Sequence, residues 1–166
     1  MAEGKRDWYV LHVKPRTEKK TADYLRRYGY FCHLPVFTKV TRVQRRKVRR
    51  ELPLFPGYVF TRLFPDERLR MLKTNLIVQT LPVPRPRRMI HQLRQIARAG
   101  RGAPDLKPAV ACAVGDLVRV VSGPLYGTEG VVIRRGREAT LCLNVEILGA
   151  AVEVSVAAAD LEVVAP

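Results

Sequence analysis

The feature that most constrains the fold is a change of texture near residue 100. Before it, β-forming stretches alternate with stretches of helical period. Trp8-Tyr9-Val10-Leu11-His12-Val13 is a continuous β-rich apolar run, the pattern of a strand buried on both faces. Lys14-Pro15-Arg16 breaks it, and Thr17 is placed to cap a helix through Tyr28, with Glu18 in the first turn and Gly29 as the stop. Further strands are predicted over 30–35, 37–43, 57–63 and 76–81, and helices over 66–73 and 87–99. This order is that of an α+β fold, in which residues 1–99 form a sandwich of helices against a mostly antiparallel sheet. Residues 100–110 carry Gly, Pro, Ala and charge without period and read as a flexible linker. Beyond it, 116–121, 130–134, 139–147 and 151–156 are short apolar strands divided by glycine-rich turns. Four or five strands in about 55 residues imply a small closed β-barrel over 111–166. Its valine-rich, period-2 alternation predicts a stable β state.

Charge divides in the same place. Residues 1–100 hold 24 Lys/Arg against 7 Asp/Glu, a net +17. Residues 111–166 hold 4 against 7, a net −3, within a chain total of +15. A field of that sign attracts polyanions to the front of the chain and speeds their encounter. Two features there suit nucleic acid. Lys20, Tyr24 and Arg27 recur at helical spacing, with Lys14 and Arg16 just ahead of the helix. Cations that track phosphates beside an aromatic that stacks on a base form a single-strand site, each stacked base contributing about 1–3 kcal/mol. The second feature is the run Arg42, Arg45, Arg46, Lys47, Arg49 and Arg50, too polar for a core. It reads as the tip of an exposed hairpin, either approaching DNA or simply solvated.

Nothing in the chain reads as catalytic. No glycine-rich phosphate loop, Gly-x-Ser-x-Gly or His-Glu-x-x-His occurs. His12, His33 and His91 are scattered and lack a carboxylate pair. Cys32, Cys112 and Cys142 are odd in number, far apart and without a Cys-x-x-Cys, which points to buried thiols rather than disulfides or zinc. No cofactor or metal is expected. An apolar fraction of 47% argues against a disordered tail, while no run approaches the ~20 residues of a membrane helix and no secretory signal opens the chain. A cytoplasmic monomer without membrane contact is expected.

Two motifs carry a family resemblance. Gly123-Pro-Leu-Tyr-Gly-Thr-Glu-Gly-Val-Val132, after Val114-Gly115-Asp116, resembles the KOW motif, in which Gly130 would occupy a backbone position that side chains fit poorly. Trp8-Tyr9-Val10 followed by Pro53-Leu-Phe-Pro-Gly-Tyr-Val-Phe60 is similar to the NGN domain of NusG-type transcription factors. The order NGN, linker, KOW resembles that family over nearly the whole chain, closer to specialised RfaH-like paralogues than to the housekeeping factor. The resemblance implies a non-enzymatic elongation or antitermination factor. It implies that Tyr9, Phe55, Pro56, Tyr58 and Phe60 meet the clamp helices of the RNA polymerase β′ subunit, unless they fill the core. Phe55-Pro56, in a turn, is expected to be exposed. It implies that the helix side reads non-template DNA in the transcription bubble, through Lys14 and Arg27 above all, and that residues 70–75 match a loop that touches the β subunit. That loop lacks the His-Thr-Thr of RfaH-like proteins. For the barrel it implies a protein partner, ribosomal protein S10 or the termination factor Rho, docking near Leu125, Tyr126, Gly127, Thr128 and Gly130. The alternative is a ribosome-associated, rRNA-binding KOW protein. The charge split argues against it, since a barrel on rRNA should carry the positive charge.

Overall fold

The computed structural model describes residues 4–103, 105–112, 115–134 and 137–164. They fall into two compact units, Met1–Pro86 and Arg87–Pro166.

In the first unit the order is β1 (Asp7–Val13), α1 (Glu18–Arg27), β2 (Phe31–His33), β3 (Val36–Val43), β4 (Arg46–Pro53), β5 (Tyr58–Leu63), α2 (Pro65–Leu72) and β6 (Ile77–Pro82). Four strands form an antiparallel sheet in the order β2-β5-β1-β6. Strand β1 is hydrogen-bonded on both edges, which is why its run is so continuously apolar. Leu11, Val13, Val59 and Leu63 meet Leu25 of α1, Met71 of α2 and Ile77 in one buried cluster. Full burial of a side chain of this size contributes about 1.5–3 kcal/mol.

Helix α1 begins without the cap expected of Thr17. The Thr17 hydroxyl donates to the Lys14 carbonyl at 2.7 Å instead. Glu18 is in the first turn as expected, and it does more than complement the helix dipole. It is buried, and its Oε1 accepts the Gly57 N–H at 2.9 Å, tying α1 to the loop before β5. Helix α2 carries Pro65 in its first turn, and the Glu67 carboxylate accepts the Phe64 N–H at 2.8 Å. Burial pushes the Glu67 carboxyl up, but the Arg6 guanidinium at 2.8 Å and the Phe64 amide together hold it below its ordinary value.

The charged run of 44–50 is not only a tip. Most of it is β4, paired with β3 from Val36↔Pro53 to Val43↔Arg46 as a separate two-stranded ribbon. Gln44 and Arg45 turn it with φ of +49° and +66°, left-handed at both central positions as in the type I′ hairpin turn.

The second unit comprises α3 (Pro86–Gly102), β7 (Lys107–Val110), β8 (Asp116–Val120), β9 (Glu129–Arg134), β10 (Glu138–Val145), β11 (Ala150–Ala157) and β12 (Leu161–Val163). Its antiparallel sheet runs β12-β8-β9-β10-β11-β7, and among the described residues no ladder joins β7 to β12 to close the expected ring. Val118, Val120, Leu141, Val145, Val152 and Val154 are buried in it. The expected flexible linker is largely ordered structure: α3 continues to Gly102, and β7 pairs with β11. Ala103 and Leu106, just past the helix, are buried as well. Helix α3 from Arg87 on groups with the second compact unit. Gln95 Oε1 accepts the Glu129 N–H at 2.6 Å, and Arg88 forks onto the Glu146 carboxylate.

Gly130 sits where the sequence placed a tight backbone. A Cβ there would lie 2.6 Å from the Cys142 carbonyl oxygen and 2.8 Å from Leu143 Cδ2. Gly130→Ala should therefore destabilise the second unit by about 1–3 kcal/mol, the usual cost of overpacking, read as a lowered unfolding midpoint in calorimetry. An unchanged midpoint would show that the strands give way freely.

Candidate functional site

Strand alternation sorts the first unit's sheet into two chemically distinct faces. One carries α1 and α2. The other carries rows of aromatic and imidazole rings set by register. Trp8↔Arg62↔Phe31 form one row, Val10↔Phe60↔His33 the next, and His12↔Tyr58 the third. Trp8 meets Phe31 edge-on at 5.2 Å, with the Arg62 guanidinium 5.5 Å from the Trp8 ring. His12 stacks on Tyr58 at 5.1 Å. Phe60 lies at the centre, against Phe55 at 6.2 Å and His33 at 6.1 Å.

This geometry divides the five aromatic-cluster candidates. Tyr58 is half-buried at the rim of this face and Pro56 is exposed beside it. Phe60 is 0% exposed and is core. Phe55, expected in an exposed turn, is only 3% exposed, because its ring closes over Phe60. Tyr9 stands on the opposite face, beneath the Arg68 guanidinium at 5.7 Å and against the helix-side core. Strand β1 puts Trp8, Val10 and His12 on Tyr58's face, and Trp8 is the one large ring among them that lies at the rim beside Phe31. Phe31, 50% exposed, completes the rim. Neither was singled out in advance, although odd–even alternation along β1 carries the signal for Trp8. Burial holds the His33 imidazole below its ordinary value of 6.5, so it is neutral at pH 7.

The helix side presents the cationic candidates. Lys20 and Arg27 are exposed and Tyr24 is half-buried on α1. Tyr24 faces Tyr28 at 4.6 Å, and Tyr28 faces Tyr30 at 6.4 Å, so three tyrosines form a ladder. Arg70 reaches the Tyr30 hydroxyl at 3.4 Å. Lys14 Nζ donates to Asn75 Oδ1 at 2.6 Å, which brings residues 70–75 to the start of α1. Arg16 and Asn75 both adopt φ near +60°, at 63° and 61°. Left-handed backbone at non-glycine residues is uncommon and collects at functional loops.

The ribbon β3–β4 carries Arg42, Arg45, Arg46, Lys47, Arg49 and Arg50 in exposed positions. Arg42 stands directly opposite Lys47, and Lys39 opposite Arg50. Like charges opposed across a ladder destabilise it. None of these side chains forms an ion pair with a described residue. The ribbon is braced near its base by the Leu54 amide on the Pro35 carbonyl and by Lys19 Nζ on the Glu51 carbonyl.

A family model described as transcription termination factor nusG matches residues 6–96, more than half of the chain. The chain belongs to the NusG family. Its members are transcription factors that act by binding rather than by catalysis, and they bind RNA polymerase. No curated protein matches the chain.

The NusG match ends within α3 and leaves the second sheet to be judged by itself. Of the loop residues proposed there for docking, Tyr126 projects outward at 72% exposure and Gly127 turns with φ +85°. Leu125, Thr128 and Gly130 are buried, so they build the loop rather than present it. Cys142 is the one fully buried thiol, pushed up to about 11 by burial, whereas Cys32 and Cys112 are half-buried. Among the described residues no three metal-ligating side chains come together, and no helix is long and apolar enough to cross a membrane.

Two outcomes follow from this placement. Phe60→Ala should cost about 3–5 kcal/mol of unfolding free energy, whereas Phe31→Ala should cost about 0.5–1.5, the worth of one edge-on pair. Equal losses in chemical denaturation would contradict the division into core and rim. His33 takes up its proton more readily in the unfolded chain than in the folded one. Its contribution is present above pH 6.5 and is lost as pH falls below that value toward its lowered folded pKa. The drop in denaturation midpoint between pH 7.5 and 5.5 should shrink in His33→Phe, and an identical drop would remove His33 as its source.

Proposed function

We propose that this NusG-family protein is an elongation and antitermination factor that bridges RNA polymerase and DNA through opposite faces of its first unit. The aromatic rim of Trp8, Phe31 and Tyr58, with Pro56 beside it, takes the clamp helices of the β′ subunit. Tyr9, Phe55 and Phe60 support that face from the core. The helix side, with Lys14, Arg16, Lys20, Tyr24 and Arg27, takes non-template DNA, joined by Arg42, Arg45, Arg46 and Arg49 of the ribbon. The segment 70–75, the end of α2 and the turn after it, lies beside Lys14 and is the part closest to a β-subunit contact. The second unit, as a KOW domain with Tyr126 at its exposed loop, recruits ribosomal protein S10 or Rho.

The observation that carries this reading is the two-sidedness of one small sheet. Half-exposed aromatic rings combine large apolar area with few rotors, which makes them good protein anchors. Stacked tyrosines beside exposed cations on the other side provide what single-stranded DNA needs. A rigid body that holds polymerase on one face and the bubble on the other favours the closed, moving enzyme over paused states, because pausing would release one of the two contacts.

Purified polymerase on a paused template tests the reading. The protein should shorten pauses, and Trp8→Ala with Tyr58→Ala should abolish that effect together with β′ binding. Arg45→Glu, Arg46→Glu and Arg49→Glu together should lower the salt slope of single-strand binding by about 2, at ~0.7 per lost phosphate contact. Recovery of ribosomal subunits without β and β′ in a pull-down, or an unchanged slope, would overturn the respective half of the proposal.

A further inference from the structure

Helix α3 has three stripes. Met89, Leu93, Ile96 and Ala99 are buried. Arg88, Gln92 and Gln95 lie alongside and bond to the second unit's strands and turns, at Glu146, the Glu146 amide and the Glu129 amide. The remaining stripe is Arg87, Arg94, Arg98 and Arg101, all exposed. At about 100° per residue these four fall within a sector of about 60°, directly opposite the buried stripe.

A solvated helix face ordinarily mixes signs in i,i+4 pairs. This one does not: α3 contains no Asp or Glu at all. Arg94 and Arg98 stand at i,i+4 and Arg98 and Arg101 at i,i+3, spacings at which like charges repel. The helix dipole explains Arg101 in the last turn but disfavours Arg87 in the first. Arg88 shows what an arginine of this helix does when a carboxylate is within reach, and none of the four makes an ion pair with a described residue. Nearby acids are engaged elsewhere: Glu129 with Arg119, Glu153 with Lys107, and Glu146 with Arg88. The row is a repulsive arrangement held on a rigid rod, and an external anion relieves it.

We infer that the arginine stripe of α3 is a second nucleic-acid surface, which binds the phosphate backbone of a duplex without reading its sequence. The stripe runs about 21 Å along the helix axis at 1.5 Å per residue. That length of double-stranded DNA presents about 12 phosphates at one per 1.7 Å, ample for four guanidiniums. No Phe, Tyr or Trp lies on α3 and its one ring, the His91 imidazole, is engaged by Gln95 at 2.8 Å, so the helix offers no run of aromatics for stacking single strands, whereas a stiff row of charges matches a stiff duplex. The inference goes beyond the polymerase reading and does not depend on it.

Fluorescence anisotropy of the full chain with a labelled mixed-sequence duplex of about 20 base pairs, across a salt series, tests it. Arg94→Gln, Arg98→Gln and Arg101→Gln together should lower the duplex salt slope by about 2.7, at ~0.9 per phosphate, and each single variant by ~0.9. The slope for a single strand of the same sequence should stay unchanged, because the ribbon and α1 are intact. The triple Lys variant should keep the duplex slope, since point charges suffice. An unaltered duplex slope in the Gln variants, or an equal fall for the single strand, would overturn the assignment.

Discussion

The first unit depends on strand β1 being hydrogen-bonded on both edges. Its backbone is satisfied by β5 and β6, so its side chains must alternate between two covered or half-covered faces. Leu11 and Val13 go to the helix side, and Trp8, Val10 and His12 to the other. The two faces of the four-stranded sheet follow from that alternation. The rings that line up with Tyr58 are those in register with it, and the helix that carries Lys20, Tyr24 and Arg27 is the one that Leu25 fastens to the Leu11 face. Shifting β1 by one residue would exchange the two faces.

Electrostatics then acts on a scaffold already decided by packing. Residues 1–86 hold 20 Lys/Arg against 7 Asp/Glu, a net +13, and residues 87–166 hold 10 against 8, a net +2. The asymmetry survives the reassignment of α3, but the second unit is no longer acidic once that helix is counted with it. Its helix carries five of the unit's nine arginines and none of its acids. The uncompensated cations of both units are on the surface, where they cost little in water and become favourable when counterions are released from a polyanion.

Much of this was legible in the sequence because it is local. The apolar run 8–13, the amphipathic α1 and the short strands beyond residue 115 all appear where pattern predicts them, and the tightness at Gly130 follows from its motif. What was not legible depends on pairing across the chain. Tyr9 and Trp8 are equally plausible interface residues until the register His12↔Tyr58 decides which of them faces Tyr58. Phe55 looks like a turn residue until Phe60 is placed beneath it. Strand β4 was hidden because an exposed ribbon needs no apolar alternation. In the supposed linker the helix runs on through Gly100 to Gly102, where the glycines, taken alone, suggested a break.

In the proposed function one sheet separates two binding chemistries. Photo-crosslinking of an elongation complex from two positions tests it most directly, with the crosslinker placed at Phe31 on the aromatic face and at Tyr28 on the helix side. The account predicts capture of the β′ subunit from position 31 and of the non-template strand from position 28. Capture of the same partner from both positions, or the two partners exchanged, would contradict it.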